Sequence, residues 1–176
     1  MTVLIFASGV FAAPYVLDVG ETVNLGFGGD EPHVFPRENG GWWLAFGADG
    51  DLYVAPMDSA WNLESEPFPV AGRTDLISNS VAMCPDGSFL HVGASTMEVL
   101  ADSGWSFRYD ADWNLVAEGT IHEGADWLVH KNSPVVCGDV FQGAGFSTPD
   151  TGACQAFVHL GQDACVEEVR PLGPPI

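Results

Sequence analysis

The segment Asp58-Ser59-Ala60-Trp61-Asn62-Leu63 returns 52 residues later as Asp110-Ala111-Asp112-Trp113-Asn114-Leu115. Self-similarity at such a period marks structural units that cannot bury their apolar faces alone and must stack on copies of themselves. A second echo runs in register with the first. Glu31-Pro32-His33-Val34-Phe35 is followed by Asn79-Ser80-Val81-Ala82-Met83 and by Asn132-Ser133-Pro134-Val135-Val136, at steps of 48 and 53 residues. About 50 residues holding four short strands is the size of one β-propeller blade. The expected fold is therefore all-β and propeller-like, with about three four-stranded blades over 31–78, 79–131 and 132–176. A two-sheet sandwich would explain the strands but not their spacing.

Local patterning supports strands throughout. No stretch of a dozen residues carries a clean 3.6-residue period. Trp42–Phe46 and Asp51–Ala55 flank an Asp49-Gly50 turn, Val81–Cys84 and Ser88–Val92 flank Pro85-Asp86-Gly87, and Trp105–Tyr109 leads through Asp110–Asp112 into Trp113–Ala117. Each is an apolar strand pair around a turn-forming cluster. Trp61 and Trp113 are expected in the core, covering the open end of their blades. Three blades do not close a ring, since propellers start at four and would need roughly 200 residues. The 176-residue chain is thus expected to be a fragment, to complete its ring with a second copy, or to draw a partial blade from residues 1–30. Val16–Val19 and Thr22–Phe27 supply strands for the last option.

Charge narrows the partners. Five Lys+Arg stand against 24 Asp+Glu, a net of −19. That sign opposes binding to nucleic-acid phosphates and to anionic membranes. Lys131, Arg37, Arg73, Arg108 and Arg170 are all the cationic side chains there are, so most carboxylates must face water. They act as a solubility device, or some of them converge on a cation or a sugar-cleaving site. The apolar run in Met1–Pro14 is too short to span a bilayer. It reads either as the apolar part of a secretory signal or as a buried first strand. The four cysteines Cys84, Cys137, Cys154 and Cys165 form no C-x-x-C pair, and with export they point to at least one disulfide. A secreted or periplasmic location is the expectation.

Glu31-Pro32-His33-Val34-Phe35, Gly41-Trp42-Trp43-Leu44-Ala45-Phe46, Gly50-Asp51-Leu52-Tyr53-Val54-Ala55 and Asp58-x-x-Trp61 together resemble a blade of the five-bladed-propeller glycoside hydrolases, the arabinanase, xylosidase and fructosidase type. The resemblance covers about 35 residues well and the next blade loosely. It implies blades that open with Asp-Pro-x-Val, whose Asp serves as general base or nucleophile. The matching position here is Glu31. The second blade is expected to open on Asp, where this chain has Asn79. The general acid is expected as a Glu in a Glu-Gly-Pro opening, which Glu123-Gly124 matches without the Pro. Hydrolysis needs one carboxylic acid and one carboxylate flanking the scissile bond, so Glu31 and Glu123 are the candidate catalytic pair. Because Asn79 and Asn132 carry no charge, the leading expectation is a non-catalytic module that binds a glycan or a protein at the axial mouth. Trp42, Trp43 and His33 are its candidate ligand contacts. The alternative is a glycoside hydrolase acting on arabino-, xylo- or fructosyl polysaccharides.

Other constellations carry less. Asp110-x-Asp112-x-Asn114 has the alternating oxygens of a calcium loop, but Leu115 and Ile121 stand where that loop needs Gly and Glu. A plain turn is the expectation, with no metal. His91 and His159 lie in apolar strand patterns and are expected inside. His122 adjoins Glu123, but neighbours in a strand point to opposite faces. No G-x-S-x-G elbow, phosphate loop or dinucleotide fingerprint is present, so no cofactor is expected.

Overall fold

The computed structural model describes residues 25–76, 78–97, 101–122, 127–128, 142–148 and 152–171, which form strands and no helix. The strands make three antiparallel four-stranded sheets, each a meander in chain order. The first sheet is β1 (Asp30–Pro36), β2 (Trp42–Ala48), β3 (Asp51–Met57) and β4 (Phe68–Pro69). The second is β5 (Ser78–Met83), β6 (Phe89–Met97), β7 (Ala101–Tyr109) and β8 (Leu115–His122). The third is β9 (Trp127–Leu128), β10 (Gln142–Thr148), β11 (Gly152–Leu160) and β12 (Val166–Pro171). Meanders of this kind laid face to face, with β1 against β5, are consecutive propeller blades.

One turn is used five times among the described residues. In Asp58–Asn62 and Asp110–Asn114 the first N–H donates to the fifth carbonyl, at 2.9 and 3.0 Å, and the fourth N–H donates to the first carbonyl, at 3.1 Å in both. This is a type I turn closed by a left-handed bulge residue. Arg37–Gly41, Cys84–Ser88 and Gly161–Cys165 repeat the same two bonds. The left-handed fourth position holds Gly40 (φ 86°) and Gly87 (φ 83°), but also Trp61 (φ 67°), Trp113 (φ 66°) and Ala164 (φ 63°). A Gly-free left-handed residue is strained, and the carboxylates offset this. Asp110 Oδ1 accepts from the N–H groups of Asp112 and Asn114, both at 2.9 Å, and Asp58 Oδ1 does the same for Ala60 and Asn62 at 2.8 Å. The calcium-like pattern is therefore a backbone-capping turn.

The Asp49-Gly50 turn is different. Both residues are left-handed (φ 52° and 88°), and Ala48 pairs directly with Asp51, the two-residue hairpin that Asp-Gly favours. It joins the second and third strands of its blade, whereas Pro85-Asp86-Gly87 joins the first and second. The two Asp-Gly hairpins thus sit at opposite ends of their blades.

Apolar side chains alternate along the strands and fill the spaces between blades. Ala45, Leu52 and Val54 of the first blade meet Val81, Phe89, Phe107, Tyr109 and Trp113 of the second. Leu90, Val92 and Ile121 of the second meet Val158 and Leu160 of the third. The other face of the first blade, with Leu44, Phe46, Ala55 and Met57, is also buried, and Leu25 and Phe27 pack on it. The third blade opens at β9, ahead of the expected Asn132, which lies outside the described residues together with the rest of 129–141 and residues 1–24.

Candidate functional site

The five repeated turns lie at one end of the blades. The other end carries the start of β1, the Asp49-Gly50 turn and the start of β5. There Gly28–Asp30, Gly47–Gly50, Leu76 and Asn79 line an open groove of about 640 Å³. Glycines dominate its walls, so backbone and a few polar groups are presented directly to solvent.

Beneath the groove, the first two blades are joined through Asn79. Its N–H donates to Glu31 Oε2 at 2.5 Å, and its carbonyl faces His33 Nε2 at 3.5 Å. Its side-chain Oδ1 meets His91 Nε2 at 2.9 Å. Two sequence-predicted residues, Glu31 and His33, are thus brought together on one residue of the neighbouring blade. A following proline biases a residue toward extended backbone, and Pro32 follows Glu31. Instead it is left-handed (φ 49°) and sits in a bulge where the β1–β2 register slips between Asp30 and His33. The bulge swings its carboxylate across to the Asn79 backbone.

His91 is 1% exposed and Asn79 2%. Burial, with a smaller push from nearby His33, holds the His91 imidazole down to about 3, so it is neutral. The Nε2–H tautomer then donates to Asn79 Oδ1 and leaves Nδ1 as a bare lone pair, the cheaper atom to bury unbonded. Burial also lowers His33, against a smaller opposing contribution from its contact with Asn79.

Fixing Asn79 Oδ1 on His91 aims its Nδ2 the other way, over Gly47. A Cβ on Gly47 would stand 2.6 Å from Asn79 Nδ2 and 2.7 Å from Asp30 Oδ1. The missing side chain therefore lets the Asn79 amide and the exposed Asp30 carboxylate both close on the Gly47 backbone. Neither Asp30 nor the position of Asn79 in the groove was singled out from sequence. The signal was present for Asn79, which opens its blade in the repeat register.

Trp42 and Trp43 stand at the other end of β2, roughly 13–17 Å along the strand from Gly47 at 3.3–3.4 Å per residue, and pack against neighbouring rings. Trp42 stacks on Trp61 with centroids 4.9 Å apart. Trp43 meets Trp113 edge-on at 6.2 Å and carries the Arg37 guanidinium 4.6 Å above its ring. Large rings flank the turns because alternate strand positions there face the adjoining blade. Glu123, Lys131, His130, Cys137 and the N-terminal strands expected over 16–24 lie outside the described residues. His159 is half exposed, with Nδ1 3.8 Å from Glu167 Oε2, rather than interior. Cys165 is a free, exposed thiol, and Cys84 is buried and engaged. Among the described residues no group of three His, Cys, Asp or Glu side chains is placed to hold a metal.

No family model and no curated protein matches the chain. Solved structures do. An α-L-arabinofuranosidase from Clostridium thermocellum aligns at a TM-score of 0.50 and 11% identity, covering 82% of this chain and 53% of its own. The GH43 protein BlXynB from Bacillus licheniformis aligns at 0.49 and 12%, covering 84% of this chain and 35% of its own. The chain spans about half the length of the arabinofuranosidase. At this identity the likeness is one of fold, and it agrees with a run of propeller blades.

Proposed function

We propose that the chain is a carbohydrate-binding propeller module whose glycan sits in the groove at Asp30, Gly47 and Asn79, and which does not hydrolyse it. The observation that carries this is the hydrogen bond from Asn79 N–H to Glu31 Oε2. It commits the candidate base to an inter-blade joint, and the residue opposite is an uncharged amide. Glycoside cleavage needs two carboxyl groups free to exchange protons with substrate. A fixed amide, a carboxylate and bare glycine backbone suit hydroxyl recognition instead. The similarity in fold to an arabinofuranosidase makes arabino- and xylo-oligosaccharides the first ligands to try.

The test is titration of the full chain with these oligosaccharides, followed by nuclear magnetic resonance, alongside an assay on aryl arabinosides and xylosides. Binding without turnover is the expected result. Turnover that Glu31→Gln abolishes would replace this reading with the hydrolase one. If no saccharide binds, the glycan reading falls.

A further inference from the structure

We propose that the pair Asp30 and Asn79 reads a vicinal diol and filters sugars by charge, admitting neutral and amino sugars and turning away uronates and sulfated sugars. This deepens the glycan reading above and rests on it.

Three observations lead here. First, Asn79 is 98% buried as a residue (2% exposed), yet it lines the groove. Its Oδ1 is taken by His91, and its Nδ2 makes no hydrogen bond among the described residues. An amide donor with no protein partner at the wall of a groove is available to an acceptor on a bound ligand. Second, Asp30 Oδ1 and Asn79 Nδ2 both approach the point where Gly47 lacks a Cβ. One accepts and the other donates, the complement of two adjacent hydroxyls, of which one donates to the carboxylate and the other accepts from the amide. Third, among the described residues the groove is lined by Asp30 and Asp49 and by no cation. The described arginines are committed elsewhere: Arg37 to Glu64, Arg73 to Asp75 at 2.6 Å and stacked on Trp105, and Arg108 to the Gly161 carbonyl at 3.1 Å. An anionic sugar entering this groove would meet like charge without compensation. An ammonium group would meet opposite charge.

The experiment titrates the full chain with three oligosaccharide series, namely neutral xylo- or arabino-oligosaccharides, glucosamine oligomers and galacturonate oligomers, at low and high salt. Neutral sugars are expected to bind. Glucosamine oligomers are expected to bind about five-fold tighter at low salt, the scale of one exposed ion pair, and the advantage should fade at high salt. Galacturonate should not bind. Asp30→Asn should erase the preference for the amino sugar and, because a neutral acceptor replaces the carboxylate that takes a hydroxyl, weaken neutral binding as well, by up to about ten-fold. Gly47→Ala, which fills the shared space, should abolish binding of every series. Galacturonate binding as well as the neutral sugars, or an amino-sugar preference that survives Asp30→Asn, overturns the charge filter and leaves the glycan reading standing. Failure of all three series to bind removes both.

Discussion

Trp113 lies flat on Phe89, with ring centroids 3.9 Å apart and planes 13° from parallel. The same contact is made one blade earlier by Trp61 on Trp42, at 4.9 Å and 10°. In both, a left-handed turn residue folds its ring back onto the first residue of the second strand, so a strained backbone and an aromatic stack come as one unit. The third blade keeps the turn but not the ring. Ala164 takes the Trp position, and its carbonyl accepts a hydrogen bond from Ser106 Oγ of the second blade. Blades one and two are thus docked by rings, and blades two and three by polar contacts at the same rim.

Trp113 is 3% exposed, so Trp113→Ala removes a fully packed ring. It is expected to cost about 3–5 kcal/mol. Trp61, only half buried, should cost about half as much on the same change. Urea unfolding of the two variants would settle the order, and equal losses would contradict the packing described here.

Asp110→Ala removes the carboxylate that caps the N–H groups of Asp112 and Asn114. The side chain is largely exposed, so the expected loss is only about 1 kcal/mol. The hydrogen bonds from Asn114, with the side-chain one foremost, hold the Asp110 pKa below 3.8. Its contribution is therefore present above pH 3.8 and lost as pH falls through the lower folded value. The variant should lose less stability than the parent on acidification across that range.

His91 acts in a higher window. Its imidazole ionises at 6.5 when unfolded and at about 3 when folded, so below 6.5 the unfolded chain binds the extra proton. Stability is complete above 6.5 and falls as pH drops, by up to about 1.4 kcal/mol per pH unit. His33, lowered in the same direction, adds to the slope. His91→Gln keeps a donor for Asn79 and should flatten the profile between 6.5 and about 4.5. A parent profile with no slope there would show that neither histidine is buried as described.

Ser106→Ala strips the donor from the Ala164 carbonyl at the junction of the second and third blades. A buried carbonyl that loses a partner costs about 1–3 kcal/mol. Gly119→Ala strikes the same junction sterically, since a Cβ there would run into the Ala164 carbonyl. Hydrogen exchange should show β11 and β12 opening ahead of β2 and β3 in both variants. Uniform loss of protection across the chain would contradict a local junction.

Several of these relationships were legible in the chain itself. The 52-residue spacing of the D-x-x-W-N-L copies placed two equivalent turns, because a turn is a local object whose residues answer to local rules of φ and side-chain capping. The Asp49-Gly50 hairpin was legible for the same reason. The third copy of the turn escaped notice. Gly161-Gln162-Asp163-Ala164-Cys165 shares with two of the others only its third-position Asp, which caps the Cys165 N–H as Asp86 caps Ser88, and many sequences satisfy the same pair of backbone hydrogen bonds.

The local pattern of residues determined an all-β chain, its period of about 50 residues and the turns that punctuate it, since strand alternation and turn chemistry act over a few neighbours. Which side chains meet was decided only by the packing of one blade on the next. Glu31 was read as a candidate catalytic carboxylate, and its carboxylate accepts from an N–H 48 residues away. Trp42 and Trp43 were read as ligand contacts, and their half-buried rings pack on Trp61 and Trp113 at the far end of β2. The convergence of Asp30 and Asn79 over Gly47 has no trace in any single segment, because it comes from the bulge in β1, the bare backbone of β2 and the first strand of the neighbouring blade brought together at one point.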